Sequence, residues 1–399
     1  MNNLKKNSID LTDVKFITRT VHEKTLKRTQ VTAGDLIFAI SGTKDNLGTV
    51  SIVPDFIREA NLNSALVRLN LNESLINKKY FCLLFSLGFV RTQIDYIGKG
   101  AAQNNLNNDE ISQIQIPIPS IEVQDDIVAF FEKSCFIKKQ KEAEAAALLA
   151  SIDGYLLKEL GISLPTPSTP KKFFYTRANK VTGCRFDPFY HQVEFDNINY
   201  ALKNSIFETH TLGHLTLDLK NGAEYRTYSD DGYRYLRVTD LSQYGINNKS
   251  MRFVNIHEIP ERLKLDYQCI LISRSGSLGL VNIVTDEIIN SILSSHIFKV
   301  KLNTKLILPI YLESFLRSII GQKLIFRENN GGVIPEINQS ALKSIKILVP
   351  PIDKQNEIAN YISALRTQAQ ALMLQASVEL EEAKQHVEDL ILGEKPSCL

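Results

Sequence analysis

Apolar residues recur along this chain with two different periods. The runs Leu36–Ile40 (LIFAI), Leu66–Leu71 (LVRLNL), Cys269–Ser273 (CILIS) and Ile297–Leu302 (IFKVKL) are short, rich in strand-forming side chains and bounded by Gly, Ser or Asn, which predicts strands. Between them, Lys78–Ile94 and Leu308–Ile325 carry helical spacing. Near the C-terminus Ile358, Ile362, Leu365, Ala369, Leu372, Ala376, Leu380, Ala383 and Val387 recur at steps of three and four, the seam of a long coiled-coil helix. Ile127, Phe131, Ala145, Leu149, Ile152, Leu156 and Leu160 form a similar seam earlier, with Lys138 and Lys141 weakening its middle. A helix of about forty residues is on the order of 60 Å long, so two of them can act as a ruler.

These elements occur twice in the same order. Ile116–Phe131 (IPIPSIEVQDDIVAFF) aligns without a gap on Ile347–Ile362 (ILVPPIDKQNEIANYI) at an offset of 231, which also pairs Leu106 with Ile337, Asn107 with Asn338 and Ser64–Asn72 with Ser295–Asn303. Upstream, Gly34–Thr43 matches Gln268–Ser277 at an offset of 234, because Lys44, Asp45 and Asn46 are extra in the first copy, and both copies resume with Leu-Gly. Asn2 and Leu4 align near Thr239 and Leu241, which leaves the 65 residues Phe173–Arg237 without a counterpart. One α+β module, mixed β with helices, is therefore used twice, and the first copy is the shorter. Three prolines in Leu164–Lys172 (LPTPSTPKK) end the first long helix and predict a stiff linker. The expected division is a first module over 1–119, a long helix over 120–163, the linker over 164–172, a second module over 173–350 and a second long helix over 351–393.

Composition narrows the class. At 399 residues, 44% hydrophobic and 23% charged, the chain is long enough for two or three folded domains. A formal net charge of +2 gives no polybasic field and leaves local basic faces open. Cys82, Cys135, Cys184, Cys269 and Cys398 are scattered without a CxxC pair, as expected of reduced thiols in a cytoplasmic protein. The N-terminal residues lack the apolar core of a secretion signal, and no window approaches a membrane span.

Candidate chemistry is sparse. Asp187-Pro188-Phe189-Tyr190 resembles a degraded form of the loop with which amino-methyltransferases hold a target amine, but the second proline and a Gly-rich cofactor turn are missing. His210 and His214, with Glu208 nearby, have metal-ligand spacing, but the intervening TLG argues against a helix and no metal site is assigned. Ser41, Thr43 and Lys44 lie in a turn that ends without the Gly-Lys-Ser/Thr of a phosphate loop; its counterpart holds Arg274, Ser275 and Ser277. Both read as strand-to-strand turns that rely on glycine and could touch backbone phosphate. Asn221-Gly222 precedes a run that interleaves Tyr225, Arg226, Tyr228, Tyr233, Arg234, Tyr235 and Arg237. That mixture suits a nucleic-acid surface, where Arg bonds guanine edges or phosphate and Tyr stacks; it is also what an amphipathic strand facing water shows. The candidate DNA contacts are Asn221, Gly222, Tyr225, Arg226, Arg237, Arg274, Ser275 and Ser277 in the second module, with Ser41, Thr43, Lys44 and Lys99 in the first.

The chain resembles the specificity subunits of type I restriction-modification enzymes. Pro119, Ile121, Gln124 and Ile127, and again Pro350, Pro351, Ile352, Gln355 and Ile358, are similar to the family's P-L-P-x-x-E-Q-x-x-I boundary, with Val123 and Lys354 in place of its Glu. Arg274–Gly279 with the preceding Ser, Asn330–Asn338 and Arg185–Tyr190 resemble recurring elements of the family's recognition domains. The resemblance implies two target-recognition domains separated by two long antiparallel coiled-coil helices, each domain reading one half of a split DNA site. It also implies that catalysis belongs to partners: two modification subunits carrying S-adenosylmethionine that methylate adenine, and restriction subunits that translocate and cleave with ATP. No cofactor and no activity are expected of this chain itself. The alternatives are a shortened or silent copy with one competent recognition domain, and a DNA adenine methyltransferase.

Overall fold

The structure, a computed structural model, describes residues 3–5, 8–97, 104–164, 173–181, 185–242, 245–330 and 332–393. Of the expected linker, 164–172, all but Leu164 lies outside the described residues, as does the candidate contact Lys99. The chain divides into two compact units, Met1–Ala143 with Leu372–Leu399, and Glu144–Ala371.

The first unit begins with a hairpin of β1 (Leu4–Lys5) and β2 (Ser8–Ile9) and continues through β3 (Gln30–Val31), β4 (Leu36–Ala39), β5 (Ser41–Gly42), β6 (Val50–Ile52), β7 (Ala60–Asn61) and β8 (Leu66–Leu69). Then follow α1 (Lys78–Leu84), α2 (Gly88–Ile97), β9 (Asn104–Asn105), α3 (Asn108–Ser112) and the start of α4 (Ile121–Glu159). The central sheet is antiparallel in the order β6-β4-β8. Strand alternation explains why β4 is buried on both faces: Leu36 and Phe38 pack with Tyr80, Leu84 and Ile94 of the helices, while Ile37 and Ala39 pack with Leu4, Val31 and Leu62.

The second unit runs α5 (Ala178–Val181), α6 (Val193–Lys203), β10 (Glu208–Thr211), α7 (Leu212–Leu215), β11 (Thr216–Asn221), β12 (Tyr233–Leu236), β13 (Leu241–Ser242), β14 (Gly245–Ile246), β15 (Phe253–Val254), β16 (Cys269–Ser273), β17 (Val281–Ile283), β18 (Ile292–Leu293) and β19 (Ile297–Leu302). After these come α8 (Pro309–Arg317), α9 (Ile319–Arg327), α10 (Gln339–Ser344), β20 (Lys346–Val349) and the start of α11 (Ile352–Leu392). Its main sheet has the order β11-β19-β16-β17. The two shorter stretches of helical spacing, Lys78–Ile94 and Leu308–Ile325, each fold as two helices. In the second unit the break is made by Ser318, which caps α9 by accepting from Gly321 N–H (3.2 Å), and by Gly321, where a Cβ would sit 2.2 Å from Phe315 O.

The internal repeat is a repeat of hydrogen bonding. Leu4↔Ile9 and Lys5↔Ser8 in the first hairpin become Leu241↔Ile246 and Ser242↔Gly245 in the second. Leu36↔Ile52 and Leu36↔Leu69 become Ile270↔Ile283 and Ile270↔Val300. Gln124 and Gln355, both fully buried, make the same three bonds. Gln124 accepts from Asn77 N–H (2.8 Å) and donates to Leu75 O and Pro119 O (2.9 Å each); Gln355 accepts from Leu308 N–H (2.9 Å) and donates to Leu306 O (2.9 Å) and Pro350 O (2.8 Å). The Gln of the boundary motif is thus a latch that fastens the long helix to the chain entering α1 or α8.

In each unit the start of one long helix lies beside the end of the other, so the pair is antiparallel. Lys141 bonds Glu379 (2.5 Å) and Phe130 meets His386 in the first unit; Lys354 bonds Glu159 (2.5 Å) and Tyr155 stacks on Tyr361 at 4.0 Å in the second. Lys141, which interrupts the apolar seam, is held by an acid on the facing helix. Ile358, Ile362, Ala369, Ala376 and Val387 of the predicted seam are all buried to 1% exposure or less.

Candidate nucleic-acid interface

In the second unit four candidate residues converge on one end of the sheet, around the first residues of β19. Asn221 pairs with Phe298 and accepts from Gln339 Nε2 (2.9 Å), and Gly222 N–H donates to Ile297 O (3.1 Å). Only glycine fits at 222, because a Cβ there would stand 2.1 Å from Leu293 O. On the other side of β19, Arg274 N–H donates to His296 O (2.9 Å), its guanidinium lies 5.6 Å from the Phe298 ring centre, and it bonds Glu336. Ser275 bridges to Glu336, and Ser277 is exposed on the turn between Gly276 (φ 77°) and Gly279 (φ 81°).

The Tyr/Arg run separates into different roles. Arg226 is the most exposed arginine of the run, with its side chain 86% exposed and bonded to the neighbouring Glu224 (2.8 Å), and Tyr228 is exposed beside it. Tyr225 is half-buried against Tyr235, whose hydroxyl bonds Ala223 O (2.9 Å) and is pushed above the usual tyrosine range by burial. Arg234 bonds Asn248 (2.6 Å) and Glu287. Arg237 is committed to the buried Asp240 through Nε and Nη2 (3.1 and 2.8 Å) and to Ser250 O (2.7 Å), and that carboxylate holds its guanidinium above the ordinary value. Sequence reading missed Arg252, exposed and 5.7 Å from the Tyr228 ring centre. It enters because β15 pairs with β12, a non-local fact with no signal in the run itself.

The first unit repeats the turn with different side chains. Ser41 pairs with Asn105 where Ser275 pairs with Glu336. Thr43 is exposed at the loop tip, and Lys44, 72% exposed, reaches Asp95 (3.2 Å). Arg91, not singled out in the sequence, donates to Leu47 O (2.6 Å) and Lys44 O (3.0 Å); its counterpart Gln322 holds Gly279 O (2.9 Å) in the second unit. Glycine is required at 48 (φ 69°), where a Cβ would meet Ile94, as at 279, where it would meet Ile325.

The other motifs are absorbed by structure. Asp187 accepts from Tyr190 N–H (2.9 Å) and Arg185 Nε (2.8 Å), so the loop resembling a methyltransferase motif is a closed turn under Arg327. His210 and His214 stack at 5.1 Å, and the described residues hold no group of three or more side chains able to bind a metal ion. No helix among them is long and apolar enough to cross a membrane.

A duplicated α+β module, each copy closed by a Gln-latched long helix and carrying a glycine-shaped turn, defines a class of paired recognition scaffold. The chain belongs to the family of type I restriction modification DNA specificity domains, whose model matches residues 3–147 and 220–382. It is 22% identical over 400 residues to a protein of Methanocaldococcus jannaschii described as a type I restriction enzyme MjaX specificity subunit, covering 97% of this chain and 84% of that one. It is 24% identical over 150 residues to the type I restriction enzyme EcoBI specificity subunit of Escherichia coli, covering 37% of this chain and 31% of that one. A chain from a structural study of complex assembly and conformational transition in a type I R-M system shares its fold, with a TM-score of 0.53 at 14% identity over 91% of this chain and 81% of that one.

Proposed function

We infer that the chain is the DNA-reading subunit of a type I restriction-modification complex. Its two modules, 1–119 and 173–350, each read one half of a bipartite site, and the helices over 120–163 and 351–393 set the spacing and seat two modification subunits, with restriction subunits joining the full complex. The bond-making is done by those partners. The observation that carries this reading is the duplication of the scaffold with its glycine-shaped turn and Gln latch, while the side chains around the turn differ. One backbone used twice with different side chains is suited to two different half-sites.

The contacts proposed are Arg226, Tyr225, Asn221, Gly222, Arg274, Ser275 and Ser277 in the second module and Ser41, Thr43, Lys44 and Lys99 in the first. Arg237 belongs to this set only as a residue that shapes the loop around Asp240. Phosphate contacts give binding that weakens with salt, and a minority of base contacts gives sequence. The test is mapping of methylated adenines in cells that carry the modification subunits, with and without this chain. A split motif that appears only with the chain is expected; methylation independent of it, or methyl-donor binding by the purified chain alone, refutes the reading.

A further inference from the structure

The duplication gives residues on the surface of the first module counterparts in the second, and along one strip their surroundings differ. In the second unit β10 pairs with β20, α7 places Leu212 and Leu215 in the core, and β11 pairs with β19. Phe298, Val300, Leu302, Ile345 and Ile347 are buried there. Their counterparts Val67, Leu69, Leu71, Ile114 and Ile116 are equally apolar yet half-buried, and Ile118, the counterpart of Val349, is 52% exposed. Among the described residues β8 is the last strand of its sheet, and no strand pairs with 115–118.

We propose that this strip of the first module is a strand-acceptor surface, and that its occupant is a polypeptide segment built like Glu208–Asn221: a strand, one helical turn carrying two leucines, and a second strand. The backbone supports that occupant. Leu212 N–H donates to Ile345 O (2.7 Å) and Gly222 N–H to Ile297 O (3.1 Å). Because alternate residues of an antiparallel strand point their polar groups to opposite sides, the added segment is met by Ile345, Ile347 and Val349 on one strand and by Ile297, Lys299 and Lys301 on the other. The first module has Ile114, Ile116, Ile118 and Leu66, Arg68, Asn70 in those places, and none is proline. Pro117, which cannot donate, stands where Leu348 turns its carbonyl to the Tyr311 hydroxyl (2.8 Å), and Pro117 O takes the Tyr80 hydroxyl in the same way (3.2 Å). Gln115 is held from that same far side by Gln93 (2.9 Å in each direction). The strip is apolar, and Arg68, the basic residue among those six, lies 3.7 Å from Asp35. An edge of this composition recruits polypeptide by main-chain pairing with alternate side chains in pockets, rather than nucleic acid.

The test adds a fluorescein-labelled peptide spanning Phe207–Gly222 to the full chain. Saturable binding by anisotropy is expected, with amide hydrogen exchange slowed on the order of tenfold or more at Leu66–Asn70 and Ile114–Ile118 and unchanged in β19 and β20. Leu212→Asp with Leu215→Asp in the peptide removes binding, as does Asn70→Pro in the chain, whose circular dichroism should stay native. The proposal is overturned by absence of binding at millimolar peptide, or by protection falling on β19 and β20, which would mean exchange with the chain's own segment. It is equally overturned if Leu66–Asn70 already exchange as slowly as Ile297–Lys301 in the chain alone, whether by internal cover or because a second copy occupies the strip, which sedimentation distinguishes.

Discussion

Gln355→Leu tests what the repeated scaffold is built on. The amide is fully buried and makes three bonds, to Leu308 N–H, Leu306 O and Pro350 O, that tie the first turn of α11 to the entry of α8 and the end of β20. Leucine fills almost the same space and returns none of them. An orphaned buried polar group costs about 1–3 kcal/mol, so three give roughly 3–9 kcal/mol if nothing relaxes. Leu306 is itself 37% exposed, and water can reach its carbonyl after a small shift, which brings the expectation to about 3–5 kcal/mol. In a unit of this size each kcal/mol moves the midpoint by about 2–4 °C, so the Tm of the second unit should fall by roughly 6–20 °C. The chain has no tryptophan, so unfolding is followed by far-ultraviolet circular dichroism, with peptide-resolved hydrogen exchange to locate the loss. Gln355→Glu should be no milder, because a carboxylate cannot donate to the two carbonyls. Gln124→Leu should reproduce the effect in the first unit. A loss below about 1 kcal/mol, or one shared evenly by both units, would refute the latch.

Arg226→Ala is expected to weaken sequence-specific DNA binding by about 1–3 kcal/mol without moving the Tm, measured by titration with the modification subunits present; unchanged binding removes this residue from the interface. Arg237→Ala should do the reverse, since it takes the guanidinium from Asp240, 3% exposed, and leaves that carboxylate the main-chain N–H of residue 237 (2.8 Å), at a cost of up to about 3–5 kcal/mol that a thermal melt detects before any DNA is added. Gly222→Ala puts a methyl 2.1 Å from Leu293 O and 2.3 Å from Ser294 O, so the chain leaving β11 must move off the end of β18, against the Ala223 N–H bond to Leu293 O (2.8 Å); a destabilisation of at least about 2 kcal/mol is expected in denaturant titration. Burial raises the Glu328 carboxyl above its usual range against the pull of Arg327 and Arg185. A raised folded-state value means the ionised form is the penalised one, so the penalty is absent below the unfolded carboxylate range and grows as pH rises through the folded value. Glu328→Gln should therefore stabilise near neutral pH and not in acid; an equal gain at both pH values would contradict the sign.

The scaffold was legible in the sequence because it is written twice. The 231-residue offset that aligns Gln124 with Gln355 also aligns the three bonds each makes, and the slighter match of Leu4 to Leu241 marks a hairpin with the same register. Periodicity could not show where α8 gives way to α9, since that depends on the Ser318 cap and a backbone approach at Gly321 rather than on spacing. The site was less legible. Seven aromatic and basic residues in one run look alike as text, yet Arg226 faces water, Arg237 is tied to a buried acid and Arg234 to Glu287 and Asn248, because their partners arrive from 240, 248, 250 and 287. Burial and partner choice are settled by pairings that no local window contains.

That contrast between fixed backbone and free side chain can itself be tested. Ile40 occupies the place of Arg274, and its main chain is bonded identically: Ile40 N–H to Ala65 O and Leu106 N–H to Ile40 O, against Arg274 N–H to His296 O and Ile337 N–H to Arg274 O, each between 2.7 and 2.9 Å. The acid that meets Arg274 is Glu336, whose counterpart is Asn105. If the scaffold alone fixes these positions, the ion pair can be moved to the first unit. Ile40→Arg should destabilise by itself, because it exchanges an apolar contact for an unpaired cation. Adding Asn105→Glu should recover part of the loss, with a favourable coupling of about 0.5–2 kcal/mol in a double-mutant cycle. Zero coupling would mean that the two turns share a backbone without sharing side-chain geometry, and reading two half-sites from one scaffold would then need a separate explanation in each unit.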